Sequence, residues 1–126
     1  MSKDGLSLGN KGEELAANLL QDKGYKILYR NYKSQLGEID IIAKEKEVIC
    51  FIEVKTRSSD RFGSGSEAVA HTKQRKIAKA ALCFLKEKRF LDRPARFDVV
   101  SLDYSSSEPK LDLIKDAFEL NGSFFY

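Results

Sequence analysis

Asp40, Glu53 and Lys55 are the residues of this chain whose types and spacing suit chemistry. Glu53 and Lys55 break into the most apolar strand of the sequence, which opens Val48-Ile49-Cys50-Phe51-Ile52, and polar groups in such a strand are costly unless satisfied. Side chains alternate along a strand, so Ile49, Phe51, Glu53 and Lys55 are expected on one face, and Glu38, Asp40 and Ile42 on one face of the strand before it. A hairpin closing symmetrically over Lys44 to Glu47 pairs Ile42 with Ile49. Asp40 is then opposite Phe51 and diagonal to Glu53, with Cα atoms roughly 7–8 Å apart. A one-residue slip would send Asp40 to the other face. Two carboxylates at that spacing repel, and desolvation raises the cost. A divalent cation relieves both penalties, and Mg²⁺ is held by one or two carboxylates plus waters and phosphate oxygens; Mn²⁺ is the other candidate. Lys55 would balance charge and position or deprotonate an attacking water. The competing reading is a solvated face carrying an Asp/Glu/Lys salt-bridge cluster.

A fourth acid follows from helical phase. From Glu13, residues three and four apart include Ala16, Ala17 and Leu20, the apolar stripe, whereas Glu14 aligns with Asn18, Gln21 and Asp22. Glu13 is therefore expected to face the sheet and to meet the shared metal directly or through a water. Its alternative role is an N-terminal helix acid stabilised by the macrodipole. Glu38 reads as a supporting residue on the site face. Lys73, at the border of an apolar helix face, is placed to reach a phosphate near the site. Arg57 and Arg61, with Phe62, occupy the segment straight after Lys55 and suit strand wrapping through phosphate contacts; a plain linker is the other reading. His71, the one histidine, reads as a surface residue at a helix start, and Asp98 as the structural partner of a nearby base.

The elements that must position these groups are legible as periodicity. Leu15, Ala16, Leu19 and Leu20 mark a helix over about Leu8 to Lys23, with Gly24 as its stop. Tyr25 to Tyr32 reads as a strand, as does Glu38 to Ala43 after Gly37, and a third strand runs from Val48 to about Arg57. A loop to Ser66 follows, with Ser66 as N-cap of a long helix from Glu67 to Lys88. Ala95 to Tyr104 is a fourth strand, Ser105 to Pro109 a turn, and Lys110 to Asp116 a short edge strand. The α/β order is α-β-β-β-α-β, a central mixed sheet flanked by helices. The long helix carries Arg75, Lys76, Lys79 and Lys86 opposite its apolar side, by default a solvated back.

The length of 126 residues predicts one domain over 1–126, and 42% hydrophobic with 33% charged residues suits a folded globular protein. A net charge of +3 argues only weakly for a nucleic-acid partner. Cys50 and Cys83 are expected as two buried thiols, with no zinc pattern. The polar N-terminus, and the lack of any run near the roughly 18 apolar residues of a membrane span, lead to an expected cytoplasmic location without membrane contact.

Asp40 followed by Glu53-Val54-Lys55 resembles the PD-(D/E)xK nuclease motif, with Ile39 in place of its proline. The wider pattern is Gly12-Glu13-x-x-Ala16, Asn31, Gly37-Glu38-Ile39-Asp40-Ile41-Ile42-Ala43, Phe51-Ile52-Glu53-Val54-Lys55-x-Arg57 and Arg96-Phe97-Asp98-Val99-Val100. It resembles the YraN-like family, also called UPF0102, in order from about Gly9 to Phe118. That family is similar to archaeal Holliday-junction resolvases and is expected to share the restriction-endonuclease-like fold. The resemblance implies metal-dependent phosphodiester cleavage, with Asp40 and Glu53 as ligands, Lys55 as the catalytic lysine, and Glu13 matching a helix glutamate near the metal. The expected function is a Mg²⁺- or Mn²⁺-dependent endonuclease on DNA, with branched or flapped structures as candidate substrates. The alternative is a non-catalytic nucleic-acid-binding or adaptor module that keeps the fold, and RNA is a further substrate. Resolvase-like action on a two-fold junction would call for a homodimer, with the aromatic terminus Phe124-Phe125-Tyr126 as a candidate surface.

Overall fold

A computed structural model of the chain describes residues 8–57 and 71–119. The elements are α1 (Leu8–Asp22), β1 (Lys26–Ser34), β2 (Gly37–Glu45), β3 (Val48–Arg57), α2 (His71–Lys88), β4 (Ala95–Asp103) and β5 (Lys110–Ile114). The expected α-β-β-β-α-β order is present, with β5 added as an edge strand. The expected helix start at Ser66 and Glu67, together with Arg61, Phe62 and the aromatic terminus, lies outside the described residues.

The strands form one five-stranded sheet in the order β1-β2-β3-β4-β5. Three pairings are antiparallel, and β3 with β4 is parallel. A parallel pair needs a long crossover, and α2 lies within that connection. β3 is central, with a helix on each face, which is why its sequence is a near-continuous apolar run rather than an alternation. On one face Ala16, Ala17 and Leu20 of α1 pack with Ile41, Ala43, Cys50, Ile52, Val100 and Leu102. On the other, Ile77, Ala81, Phe84 and Leu85 of α2 pack with Ile42, Ile49, Phe51 and Val99. Phe84 centres that side, edge-on to Tyr29, Tyr32 and Phe51 at centroid distances of 5.4, 5.5 and 6.0 Å.

Gly24 ends α1 as expected. Its φ of 95° is left-handed. Gly24 N–H donates to Gln21 O, and Tyr25 N–H donates to Leu20 O, the paired bonds of a Schellman cap. No helix among the described residues is long and apolar enough to cross a membrane.

Two expectations are corrected. The β2–β3 turn is tighter than a four-residue connection, because Glu45 pairs with Val48 and Ile42 with Phe51, not Ile49. The register error is two residues, so every side chain keeps its face. Cys50 is buried, and burial pushes its thiol up to about 12, but Cys83 is only half-buried.

Glycines set how closely the helices approach. A Cβ on Gly37 would lie 2.6 Å from the Lys76 backbone oxygen in α2, whereas one on Gly12 would meet the Thr56 hydroxyl at 2.8 Å. Backbone cannot turn away as a hydroxyl can. Gly37→Ala should therefore cost about 1–3 kcal/mol in urea unfolding. Gly12→Ala, which also gains about 1 kcal/mol of helix propensity, should stay within about 1 kcal/mol of the parent. Equal losses would show that the β2–α2 approach is not the tighter one.

Candidate active site

The site forms where strict alternation fails. Ile39 and Ile42 both belong to the α2-side core, while Ile41 belongs to the α1 side. A period of two cannot place residues three apart on one face. The irregularity falls at Ile39, whereas Glu38 and Asp40 line the cleft under α2 and Ile42 packs on that same side, as expected. The break is matched on β1: Arg30 pairs with Ile41 and Tyr32 with Ile39, and Asn31, between them, takes a left-handed φ of 56°. Asparagine tolerates that region better than most residues. Its side chain lies near Glu13 and partly offsets the rise that burial causes there, a proximity that the sequence reading missed.

Asp40 and Glu53 meet as expected, as the residues that follow directly on the last β2–β3 pair, Ile41 with Ile52. The Val54 N–H donates to Asp40 Oδ2 at 2.8 Å, and the Asp40 and Glu53 carboxyls are close enough to perturb each other. Glu53 is 4% exposed. Burial, then the Asp40 charge, push Glu53 up to about 7. Burial also raises Asp40, against the pull of the Val54 N–H and of Lys73.

Lys73 was expected at a phosphate; here its Nζ lies 2.5 Å from Glu53 Oε2, with the lysine side chain 52% exposed. That pairing raises the ammonium above its ordinary range. Gly37, Glu38, Asp40, Glu53, Thr72, Lys73, Lys76 and Ile77 line a cleft of about 500 Å³ between the sheet and α2. Glu38 is on the cleft as expected. Thr72 and Lys76 are additions that only the packing of α2 on Gly37 reveals.

Glu13 and Glu14 divide as helical phase requires. Glu14 is exposed and ion-paired to Arg30 at 3.0 Å. Glu13 is half-buried and raised by burial and then by Asp40. It is the sixth residue of α1, past the first turn, where the macrodipole fades. Among the described residues, no three of His, Cys, Asp and Glu converge as a metal-binding group. Lys55 lies half-buried on β3, and the alternation of Phe51 toward α2 with Ile52 and Val54 toward α1 puts it on Glu53's face. It does not line the cleft. Arg57 ends β3, its carbonyl accepting from Tyr104 N–H at 2.7 Å, and its charge helps lower Asp103. The position of Arg61 lies outside the described residues, and nothing is said of the His71 side chain.

The donor set fits a hard divalent cation. Two desolvated carboxylates face an open cleft, and a partly exposed ammonium already sits against one of them. Mg²⁺ needs no more protein ligands than that, taking the rest from water and phosphate. A closed Cys/His zinc cage would not match.

The profile of a family described as "Uncharacterised protein family UPF0102" matches residues 12–102, which span every residue of the cleft. The chain is 49% identical over 120 residues to a UPF0102 protein of Geobacter metallireducens, covering 95% of this chain and 98% of that one. It is 46% identical to one of Syntrophus aciditrophicus, covering 91% of each. A relative from Clostridium perfringens is 43% identical over 95% of this chain and 100% of its own.

Because folded Glu53 is raised from 4.5 to about 7, the folded state holds its proton more tightly than the unfolded chain does. The stabilisation is complete below pH 4.5 and is lost as pH rises through 7. In chelator, Glu53→Gln should flatten that decline and exceed the parent at pH 8 by about 1–3 kcal/mol in urea unfolding. A variant several kcal/mol weaker would mark the Glu53–Lys73 pair as structural.

Proposed function

For a chain that belongs to the UPF0102 family, we propose a divalent-metal-dependent nuclease that hydrolyses phosphodiester bonds of DNA at the Asp40–Glu53 cleft. The observation that carries this reading is a buried Glu53 carboxylate beside a half-buried Asp40, whose described cation is a half-exposed, displaceable lysine. Two adjoining acids whose described cation is a half-exposed ammonium are poorly compensated. A cation arriving with the substrate completes it. The restriction-endonuclease-like resemblance of Asp40 and Glu53-Val54-Lys55 points the same way.

Asp40 and Glu53 would hold Mg²⁺ or Mn²⁺. When bound, such an ion neutralises phosphoryl charge and makes water a better nucleophile. The Val54 N–H fixes one Asp40 oxygen and leaves the other to bind. Lys73, released from Glu53, moves to a phosphate oxygen. Lys55 orients the attacking water from Glu53's face of β3. Glu13, near enough to Asp40 to feel its charge, acts on the site through water rather than by direct contact. Arg57, with Arg61, contacts the strand beyond the cleft.

The Glu53–Lys73 ion pair also favours a second reading, a nucleic-acid-binding module in which lysine permanently replaces the metal. The test is a cleavage panel of single strand, duplex, flap and four-way junction with Mn²⁺, Mg²⁺ or chelator. Asp40→Asn and Glu53→Gln should each lower the rate at least 100-fold, and chelator should abolish it. Glu13→Gln should lower it more than tenfold and raise the metal requirement, whereas Glu14→Gln should do neither. No cleavage of any substrate, with no metal-dependent shift in thermal stability, leaves the second reading.

A further inference from the structure

A second cavity lies on the α2 side of the sheet, at the other end of that helix. Lys26, Leu28, Tyr29, Lys44, Ile49, Phe84, Lys88, Phe90 and Arg93 enclose about 310 Å³. Four of these residues are cations and none is an acid. None of the four forms an ion pair with a carboxylate among the described residues. Unpaired positive charge gathered in one concavity raises the local concentration of anions.

Two of the cations stand on aromatic rings. Lys88 Nζ lies 5.0 Å from the Tyr29 ring centroid, and the Arg93 guanidinium 4.1 Å from that of Phe90. Tyr29 and Phe90 are braced by the buried Phe84, at 5.4 and 6.3 Å between centroids, yet Tyr29 stays 41% exposed. A braced, exposed ring among cations offers stacking and charge together. That combination matches an unpaired nucleotide, whose base stacks on an aromatic or guanidinium plane while lysines take its phosphates. A simple anion would use the lysines and leave the ring idle.

Helix α2 also sets the spacing. Lys73 lies at the cleft and Lys88 at this cavity, separated by about 22 Å at the usual helical rise. One strand of a few nucleotides can span both.

We propose that the cavity formed by Lys26, Tyr29, Lys44, Lys88 and Arg93 is a docking site for an unpaired nucleotide of the strand presented to the Asp40–Glu53 cleft. This rests on the strand-binding reading of that cleft, but its measurement does not need cleavage. The probe is a fluorescein-labelled oligothymidylate of about 12 nucleotides, titrated in chelator across a salt series. Changing Lys44, Lys88 and Arg93 together to Gln should weaken binding at least tenfold and reduce the salt slope by about 2, near 0.7 per phosphate contact on a single strand. Tyr29→Leu should weaken binding about fivefold or more with the slope unchanged, because it removes stacking alone. An abasic oligomer of equal length should bind the parent as weakly as oligothymidylate binds Tyr29→Leu.

The three charge changes are at the surface, and unchanged urea midpoints will confirm that those variants fold. Binding within twofold of the parent in the triple variant overturns the proposal. So does equal affinity for the abasic and base-bearing strands, or displacement of the probe by polyaspartate at equal charge, which would mark a site for acidic polymers. Binding that depends on the cavity in a protein that cuts nothing keeps this proposal and removes the nuclease reading. Cleavage without any such dependence removes this proposal alone.

Discussion

The buried carboxylate of Asp98 is the constraint around which the structure is arranged. It is wholly enclosed, so each oxygen must be satisfied within the protein. Tyr25 Oη donates to it at 2.9 Å, Arg96 Nε at 2.9 Å and the Asp116 N–H at 2.9 Å. Arg96 reaches on to the Tyr25 oxygen at 2.8 Å and to Glu45 at 2.6 Å, and Lys115 closes on Glu45 at 2.8 Å. One acid thereby ties the end of α1, the end of β2, the start of β4 and the chain beyond β5 into a single geometry. Removing one partner of such a set typically costs about 3–5 kcal/mol, because the remaining charge stays buried alone.

The acid pair of the cleft, buried Glu53 and half-buried Asp40, is built in the opposite way. Asp98 faces a guanidinium that is itself largely enclosed and that bonds on both sides. Asp40 and Glu53 face each other, and their described cation reaches in from solvent on a flexible stem. The first arrangement is saturated and rigid. The second leaves charge to be compensated from outside, as a functional site does when it stores cost in its ligand-free state. The sheet allows both because they belong to different faces and lie on different strands, so the rigid network can hold the strands while the open pair stays strained.

Helix α2 connects the parts that bear on function. Its apolar side supplies Ile77, Ala81 and Phe84 to the core. Its first turns carry Thr72, Lys73 and Lys76 to the cleft, and its last turn carries Lys88 to the cation–aromatic cavity. Close contact at Gly37 fixes the height of this helix over β2. The basic back that would read as a solvated surface is therefore continuous with two concave sites.

Much of this was present in local sequence pattern. Helical phase separated Glu13 from Glu14, and Gly24 marked the end of α1. Strand parity put Asp40 and Glu53 together even though the expected register was two residues off, because a period of two tolerates an even error. These features depend on side-chain spacing within a turn or a strand, which the chain carries in itself. The left-handed Asn31, the seating of Lys73 on Glu53 and the closure of Tyr25 on Asp98 across 73 residues had no such signal. Each depends on the distance between elements far apart in sequence, and that distance is set by helix-on-sheet packing. The sequence by itself determined which residues share a face; tertiary packing decided which of them touch, because contact depends on how closely separate elements can approach.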